Sequence, residues 1–271
     1  MFGAILGDII GQPYEFDRSP KTKQFPLFCK NPRFTDDTVM TIAICDGIMK
    51  AGLDADENTM KTAMITSMQL WGHKYPHAGY GGKFYFWLAR EDTRPYNSWG
   101  NGAAMRVSAC GWAGRTLDEV KAMSLAVTEV THNHPEGIKG AEATAVCVFL
   151  ARQGKSKDEI GAYVRANYYP LDFTLDDIRA GYSFDVSCQG SVPQALEAFF
   201  ESASFEDAIR NAISIGGDSD TIGAICGAVA EAFYGAPKEI RSKALTFLPQ
   251  HLVDVLKRVE TVFCQEQEGE S

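Results

Sequence analysis

No run of the 271 residues reaches the ~18 consecutive apolar residues that a membrane-spanning helix needs. The opening segment, MFGAILGDIIGQPYEF, carries no basic cluster, and Asp8 interrupts its apolar run, so it does not read as a signal peptide. No Cys-x-x-Cys pair occurs. The seven cysteines (Cys29, Cys45, Cys110, Cys147, Cys188, Cys226 and Cys264) are odd in number and scattered, which argues against a disulfide frame or a zinc cage. Cys45, Cys147 and Cys226 fall in apolar helical runs and read as small buried hydrophobes, and a cytoplasmic location is expected. Positive charge is also short: 26 Lys and Arg against 35 Asp and Glu leave a net charge of −9. That balance argues against a phosphate-tracking nucleic-acid surface, although a local site can still hold a small anionic ligand.

Alternating strand patterns and a βαβ rhythm are missing as well. The dominant period is helical. Four segments open with capping-box chemistry: Thr116-Leu-Asp-Glu119, Ser156-Lys-Asp-Glu159, Thr174-Leu-Asp-Asp177 and Ser204-Phe-Glu-Asp207. Each precedes an apolar-periodic run. Further helices are predicted near 36–51, 57–72, 101–114, 136–153, 191–202, 218–234 and 250–264, with Gly52 and Gly154 placed to end two of them. The expectation is an all-α single domain, a compact bundle of about a dozen helices over 1–264, followed by a polar tail at 265–271. A monomer is expected. Residues 12–34 and 73–100 read as long irregular segments, the kind that carry function in compact domains.

Glycines recur every fourth residue at Gly3, Gly7 and Gly11 and again at Gly223 and Gly227. Glycine costs roughly 1 kcal/mol against alanine inside a helix. Such a stripe implies that another backbone or a ligand approaches closely, with helix–helix packing the simpler reading.

Two acidic strings stand out, Phe34-Thr35-Asp36-Asp37-Thr38 and Gly216-Gly217-Asp218-Ser219-Asp220-Thr221. Each begins a helix that is apolar nearly all round and so expected to be buried. Capping alone would explain one acid and one hydroxyl per helix. Two acids in each string exceed that need, and burying the surplus unpaired costs several kcal/mol. A divalent cation resolves the conflict. The donors are all hard oxygens, which suit Mg²⁺, Mn²⁺ or Ca²⁺ better than zinc, and four carboxylates could serve two ions.

Glu15 follows Pro13 at the head of an irregular segment, where it reads either as a solvated charge or as a mobile general acid or base. Trp99, Tyr80, Phe84, Tyr85, Tyr182 and Phe184 could stack on a base, with core packing as the competing role; Trp99 and Tyr182 are the preferred candidates. His132-Asn-His134 has no third ligand nearby, and His134 before Pro135 reads as the start of a helix. Arg106 reads as a phosphate ligand or as half of a structural ion pair.

Across nearly its whole length the chain resembles the ADP-ribosylglycohydrolase family, which includes the dinitrogenase-reductase-activating glycohydrolases and the ADP-ribosyl-acceptor hydrolases. The resemblance rests on GAILGDIIGQPYEF, FTDDT, GNGAAMR at Gly100 to Arg106, Thr131-His132, SVPQAL at Ser191 to Leu196 and GGDSDTIGAICGAVAEAFYG, in that order. It implies a compact all-α fold with a dinuclear metal cleft holding two Mg²⁺ (or Mn²⁺) ions. It further implies hydrolysis of the glycosidic bond between C1″ of ADP-ribose and an acceptor, on a protein side chain or a small ADP-ribose derivative. By the same resemblance, Thr35, Asp36, Asp37, Asp218, Asp220 and Thr221 are metal ligands, and Glu15 gates the site and joins in acid/base chemistry. Ser98, Trp99, Gly100, Asn101 and His132 line the substrate by that resemblance, and the helix opening expected near Gly102 offers N–H groups for phosphate.

The chemistry expected of such a site assigns Glu15 as the acid, with Asp36 or a metal-bound water assisting the nucleophile. One departure is informative. Ser98-Trp99-Gly100-Asn101 looks more like the Ser-Tyr-Gly-Asn of the serine- and polymer-directed branch than the aspartate-bearing dinitrogenase-reductase branch. The Trp71 to Leu88 stretch is unlike the animal enzymes, so the acceptor stays open. The competing readings are a non-enzymatic ADP-ribose binder of the same fold and an unrelated all-α Mg²⁺ enzyme. A prenyl-diphosphate DDxxD motif would need an acid where Met40 stands, and no His-Asp dipeptide supports a phosphohydrolase of that type.

Overall fold

Helix starts in this chain are written locally, and the computed structural model, which describes residues 1–268, shows how. The helices are α1 (Phe2–Gly11), α2 (Asp36–Ala51), α3 (Glu57–Lys74), α4 (Gly82–Leu88), α5 (Ser108–Ala113), α6 (Leu117–Glu129) and α7 (Pro135–Arg152). They continue with α8 (Lys157–Asn167), α9 (Leu175–Arg179), α10 (Cys188–Phe200), α11 (Phe205–Ser214), α12 (Ser219–Tyr234), α13 (Lys238–Leu245) and α14 (Gln250–Glu268). Among the described residues there is no strand, only an isolated antiparallel bridge between Gly100 and Ser187. The all-α expectation holds.

Thr116, Ser156, Thr174 and Ser204 each accept a hydrogen bond from the backbone N–H three residues on. The reciprocal half of the box forms at Ser156 and Thr174. At the other two, the acid reaches one residue further back: Glu119 accepts from the Arg115 N–H and Asp207 from the Ala203 N–H. His134 caps α7, with Nδ1 accepting from the Glu136 N–H, so it does open a helix.

The sequence reading needs correction at several places. The helix predicted over 101–114 is broken into a 3-10 turn at Asn101–Ala103, a non-helical stretch, and the short α5. The cause lies outside the segment: the Asn101 N–H donates to the Val186 carbonyl and the Cys188 N–H to the Trp99 carbonyl, which ties the strip sideways to α10. Helix α10 begins at Cys188, not 191. Helices α4 and α13 interrupt segments that carried no helix prediction. Helix α14 runs to Glu268, past the start of the proposed tail, and residues 269–271 lie outside the described residues.

The core is built on α1 and α12, which pack along each other. All ten residues of α1 are buried. A Cβ on Gly3 would stand 2.0 Å from the Gly227 carbonyl oxygen, one on Gly7 1.9 Å from that of Gly223, and one on Gly11 2.3 Å from that of Ser219. The backbones therefore touch, and the glycine stripe serves packing. The order of these contacts runs antiparallel, which sets the end of α1 beside the start of α12. The amino terminus closes the other end: the Met1 ammonium and the Gly3 N–H both donate to the Glu231 carboxylate. Cys45, Cys147 and Cys226 are buried free thiols, as their apolar surroundings predict.

Candidate active site

The antiparallel register of α1 and α12 carries Glu15, just past α1, to the first turn of α12. One carboxylate oxygen from each of Glu15, Asp218 and Asp220 lies within 4.8 Å of the others. The Ser219 hydroxyl donates to the Tyr14 carbonyl, which fastens the Glu15 segment there. Helix α2 points its first turn at the same place. The Thr221 hydroxyl donates to Asp37 Oδ2 at 3.3 Å, so the two acidic strings meet.

What aims α2 is Asp8. Its buried carboxylate accepts from the Thr35 N–H and hydroxyl, both at 2.9 Å, and from the Thr38 N–H and hydroxyl. The sequence reading registered Asp8 only as an interruption of an apolar helix. A charged residue amid fully apolar, glycine-striped neighbours was the signal that it had a partner. Thr35 is the α2 N-cap, with its hydroxyl between Asp8 and Asp37.

The loop before α12 is held by conformation and by a lysine. Gly216 and Gly217 have φ of 77° and 74°, and a Cβ on Gly217 would strike the Tyr182 ring at 2.5 Å. Lys21 Nζ donates to the Tyr182 and Ile215 carbonyls. Tyr182, one of the two preferred stacking candidates, is committed to this packing, and its hydroxyl donates to the Gly190 carbonyl.

A cleft of about 460 Å³ opens over the acids. Glu15, Asp36, Asp37, Asp218, Asp220 and Thr221 form its floor. Ser98, Gly100, Asn101, Gly102 and His132 form one wall. Asn101 Nδ2 donates to Asp218 Oδ2 at 2.6 Å and to the Ser191 hydroxyl at 3.0 Å, joining wall to floor. Trp99 does not line the cleft; it is exposed outside it, edge-on to His134 with Lys83 near its face. Phe16, Tyr96 and Val186 also line the cleft and were not singled out from sequence. Phe16 and Tyr96 lie one and two residues from Glu15 and Ser98, and Val186 is recruited only by the Asn101 backbone bond.

The floor is electrostatically strained. Burial pushes the Asp36 carboxyl up to about 8, with the Asp8 charge adding to it. Burial and the neighbouring Asp218 raise Glu15 to about 7. Asp8 is raised to about 6 by burial, against the four hydrogen bonds it accepts. Asp37 and Asp220 are raised well above the ordinary carboxylate range, by burial first and then by the negative charge beside them, Asp8 most at Asp37 and Asp37 most at Asp220. Asp37 Oδ1 is buried with no hydrogen-bond partner. An orphaned carboxylate oxygen costs about 1–3 kcal/mol or more. Crowded, buried, oxygen-only donors with an unpaired oxygen fit a hard divalent cation. The cluster can hold a metal ion.

The ADP-ribosylglycohydrolase family model matches residues 1–268. The chain belongs to the ADP-ribosylglycohydrolase family. It is therefore a hydrolase. It is 25% identical over 308 residues to the ADP-ribosylhydrolase ARH3 of Homo sapiens, covering 86% of this chain and 84% of that protein. It is 26% identical over 268 residues to the ADP-ribosyl-(dinitrogen reductase) glycohydrolase of Rhodospirillum rubrum, covering 86% and 83%. It is 24% identical over 269 residues to the ADP-ribosylarginine hydrolase Tri1 of Pseudomonas putida (strain GB-1), covering 87% and 69%. A solved structure titled ADP-ribosylglycohydrolase-related protein complex superposes with a TM-score of 0.66 at 21% identity, over 91% of this chain and 95% of that one. That likeness supports the fold. No helix among the described residues is long and apolar enough to cross a membrane.

Proposed function

We propose that this family member hydrolyses the glycosidic bond between C1″ of ADP-ribose and an acceptor, on a protein side chain or a small ADP-ribose derivative, in the cytoplasm and with two Mg²⁺ (or Mn²⁺) ions. The observation that carries the reading is the convergence of Glu15, Asp218 and Asp220 within 4.8 Å at the floor of a cleft whose wall carries Asn101 and His132. Relatives named as hydrolases of ADP-ribosylated acceptors support the substrate class. Asp36, Asp37, Asp218, Asp220 and Thr221, with Thr35 behind them, would hold the cations. When bound, these would supply positive charge for the oxygens of the ligand and polarise water.

The chain's own residues do the rest. A glycoside bond breaks through an oxocarbenium-like state, which needs a proton for the leaving atom and a base for water. Glu15, raised to about 7 by burial and Asp218 in the cation-free cleft, is the carboxyl that would give its proton to the leaving atom. Asp36, whose carboxyl stands at about 8 in the cation-free cleft, would be ionised by the charge of bound cations and could then take the proton of the attacking water. Ser98, Gly100, Asn101 and Gly102 present a wall along which a diphosphate and ribose can lie.

Release of ADP-ribose from a modified protein, measured with and without EDTA, tests the reading. Turnover is expected to stop with EDTA, to return with Mg²⁺, and to be absent in Asp220→Ala with the fold retained. Binding of ADP-ribose without cation-dependent turnover would make the protein a binder and overturn the proposal.

A further inference from the structure

Arg106 is 1% exposed, and no carboxylate lies within ion-pair distance of it among the described residues. Its guanidinium lies over the Phe84 ring at 5.3 Å, and its Nε has no partner. A buried arginine is costly unless its N–H groups are used. Its NH2 group donates to the Thr131 hydroxyl at 2.7 Å and lies 3.4 Å from His132 Nδ1. The Thr131 hydroxyl oxygen in turn lies 2.8 Å from His132 Nδ1.

The donor inventory and the distances favour one placement of the protons. Arginine only donates, so Thr131 Oγ1 accepts from it. The hydroxyl proton then goes to Nδ1 at 2.8 Å or to the Thr128 carbonyl at 3.4 Å, and the shorter contact is to the ring. Were Nδ1 protonated instead, its N–H would face the Arg106 N–H. Nδ1 is therefore an acceptor, and the ring carries its proton on Nε2. That nitrogen faces the Gly100–Gly102 turn: a Cβ would stand 3.5 Å from it on Gly100 and 3.6 Å on Gly102. Nε2 has no hydrogen-bond partner among the described residues, and the ring lines the cleft. Burial, with the Arg106 charge beside it, keeps the imidazole neutral.

We infer that Arg106 and Thr131 are positioning residues that lock His132 in its Nε2–H tautomer, making it an uncharged donor to a ligand oxygen that accepts but cannot donate, such as a phosphate oxygen. The ligand half of this inference rests on the function proposed above. The arrangement favours such oxygens over hydroxyl protons, and it removes His132 from proton shuttling, because a neutral ring with Nδ1 already engaged has no free lone pair in the cleft.

Long-range proton–nitrogen NMR on the full chain with ¹⁵N-histidine tests the lock directly, with His132→Gln used for assignment. The wild type should show one tautomer, protonated at Nε2. Arg106→Met lets the Thr131 hydroxyl turn round, so a mixture with the Nδ1–H form should appear and ADP-ribose should bind about tenfold more weakly. Arg106→Lys, which keeps a donor, should restore the single tautomer. A wild-type ring protonated at Nδ1, or a mixture, would overturn the inference even if Arg106→Met does not fold. A folded Arg106→Met with the unaltered Nε2–H pattern would do the same. The spectrum is read without ligand, so a failed lock and a failed functional reading show separately.

Discussion

Asp8 Oδ2 accepts hydrogen bonds from both the backbone N–H and the hydroxyl of Thr38, 30 residues along the chain, and so caps α2 from inside α1. The same carboxylate takes both donors of Thr35. One buried acid therefore fixes the direction in which Asp36 and Asp37 project.

Replacing that acid separates this role from simple burial. Asp8→Asn presents an amide N–H to donors it formerly accepted from. The expected loss is about 2–4 kcal/mol in chemical denaturation, since hydrogen bonds to charged groups exceed neutral ones and a donor is left buried. Divalent-cation affinity, read by calorimetry, should fall with it. An unchanged unfolding midpoint would remove Asp8 from the architecture of the site.

The glycine contact makes a steric prediction. A Cβ on Gly7 would stand 1.9 Å from the Gly223 carbonyl oxygen, and backbone cannot yield as a side chain can. Gly7→Ala should lose at least the ~1–3 kcal/mol typical of overpacking. Gly181→Ala, where nothing lies within 4 Å, serves as the control and should melt as the wild type does. Equal melting of the two variants would contradict the α1–α12 register.

Glu15 should act on the chemical step. Glu15→Gln keeps size and polarity but cannot exchange a proton. The turnover rate is expected to fall by about 10²–10⁴, the usual worth of general acid–base catalysis, with ADP-ribose affinity changed far less. An unchanged rate would exclude Glu15 from the mechanism.

The acid floor predicts a pH dependence with a definite sign. Asp36 is raised from 3.8 to about 8, Glu15 from 4.5 to about 7 and Asp8 from 3.8 to about 6. Between the ordinary values and the raised ones, the folded, cation-free protein holds protons that the unfolded chain has released. Its stability therefore falls as pH rises through that window. EDTA-treated protein should melt lower at pH 8 than at pH 6, by about 2–4 °C for each kcal/mol lost. Mg²⁺ should raise the melting temperature more at pH 8, because a cation replaces the protons. Identical melting at both pH values without cation would show that the floor is not strained as described.

The acidic strings and their shared site were legible because each string carries more oxygen donors than a helix start can use. Asp37 and Thr221 do meet, and Glu15 does join Asp218 and Asp220. Tyr182 was less legible. An aromatic reads as a base-stacking candidate until the positive φ of Gly217 shows that the Tyr182 ring fills the space of a missing Cβ. Trp99 likewise sits in the sequence of the wall, but its ring lies outside the cleft. Backbone order does not say on which side of a pinned strip a side chain emerges.

Caps, helix periods and glycine spacing needed nothing beyond the chain's own neighbours, because a capping bond spans three residues and a helical face repeats every turn. That is why the sequence by itself determined an all-α chain with two acid-bearing helix starts. The break at 101–107, the aim of α2 and the pairing of Arg106 with Thr131 and His132 were decided by tertiary structure. In each, a polar group buried by packing found its partner on a segment distant in the chain, and that partner is set by how helices stack rather than by what lies next in the sequence.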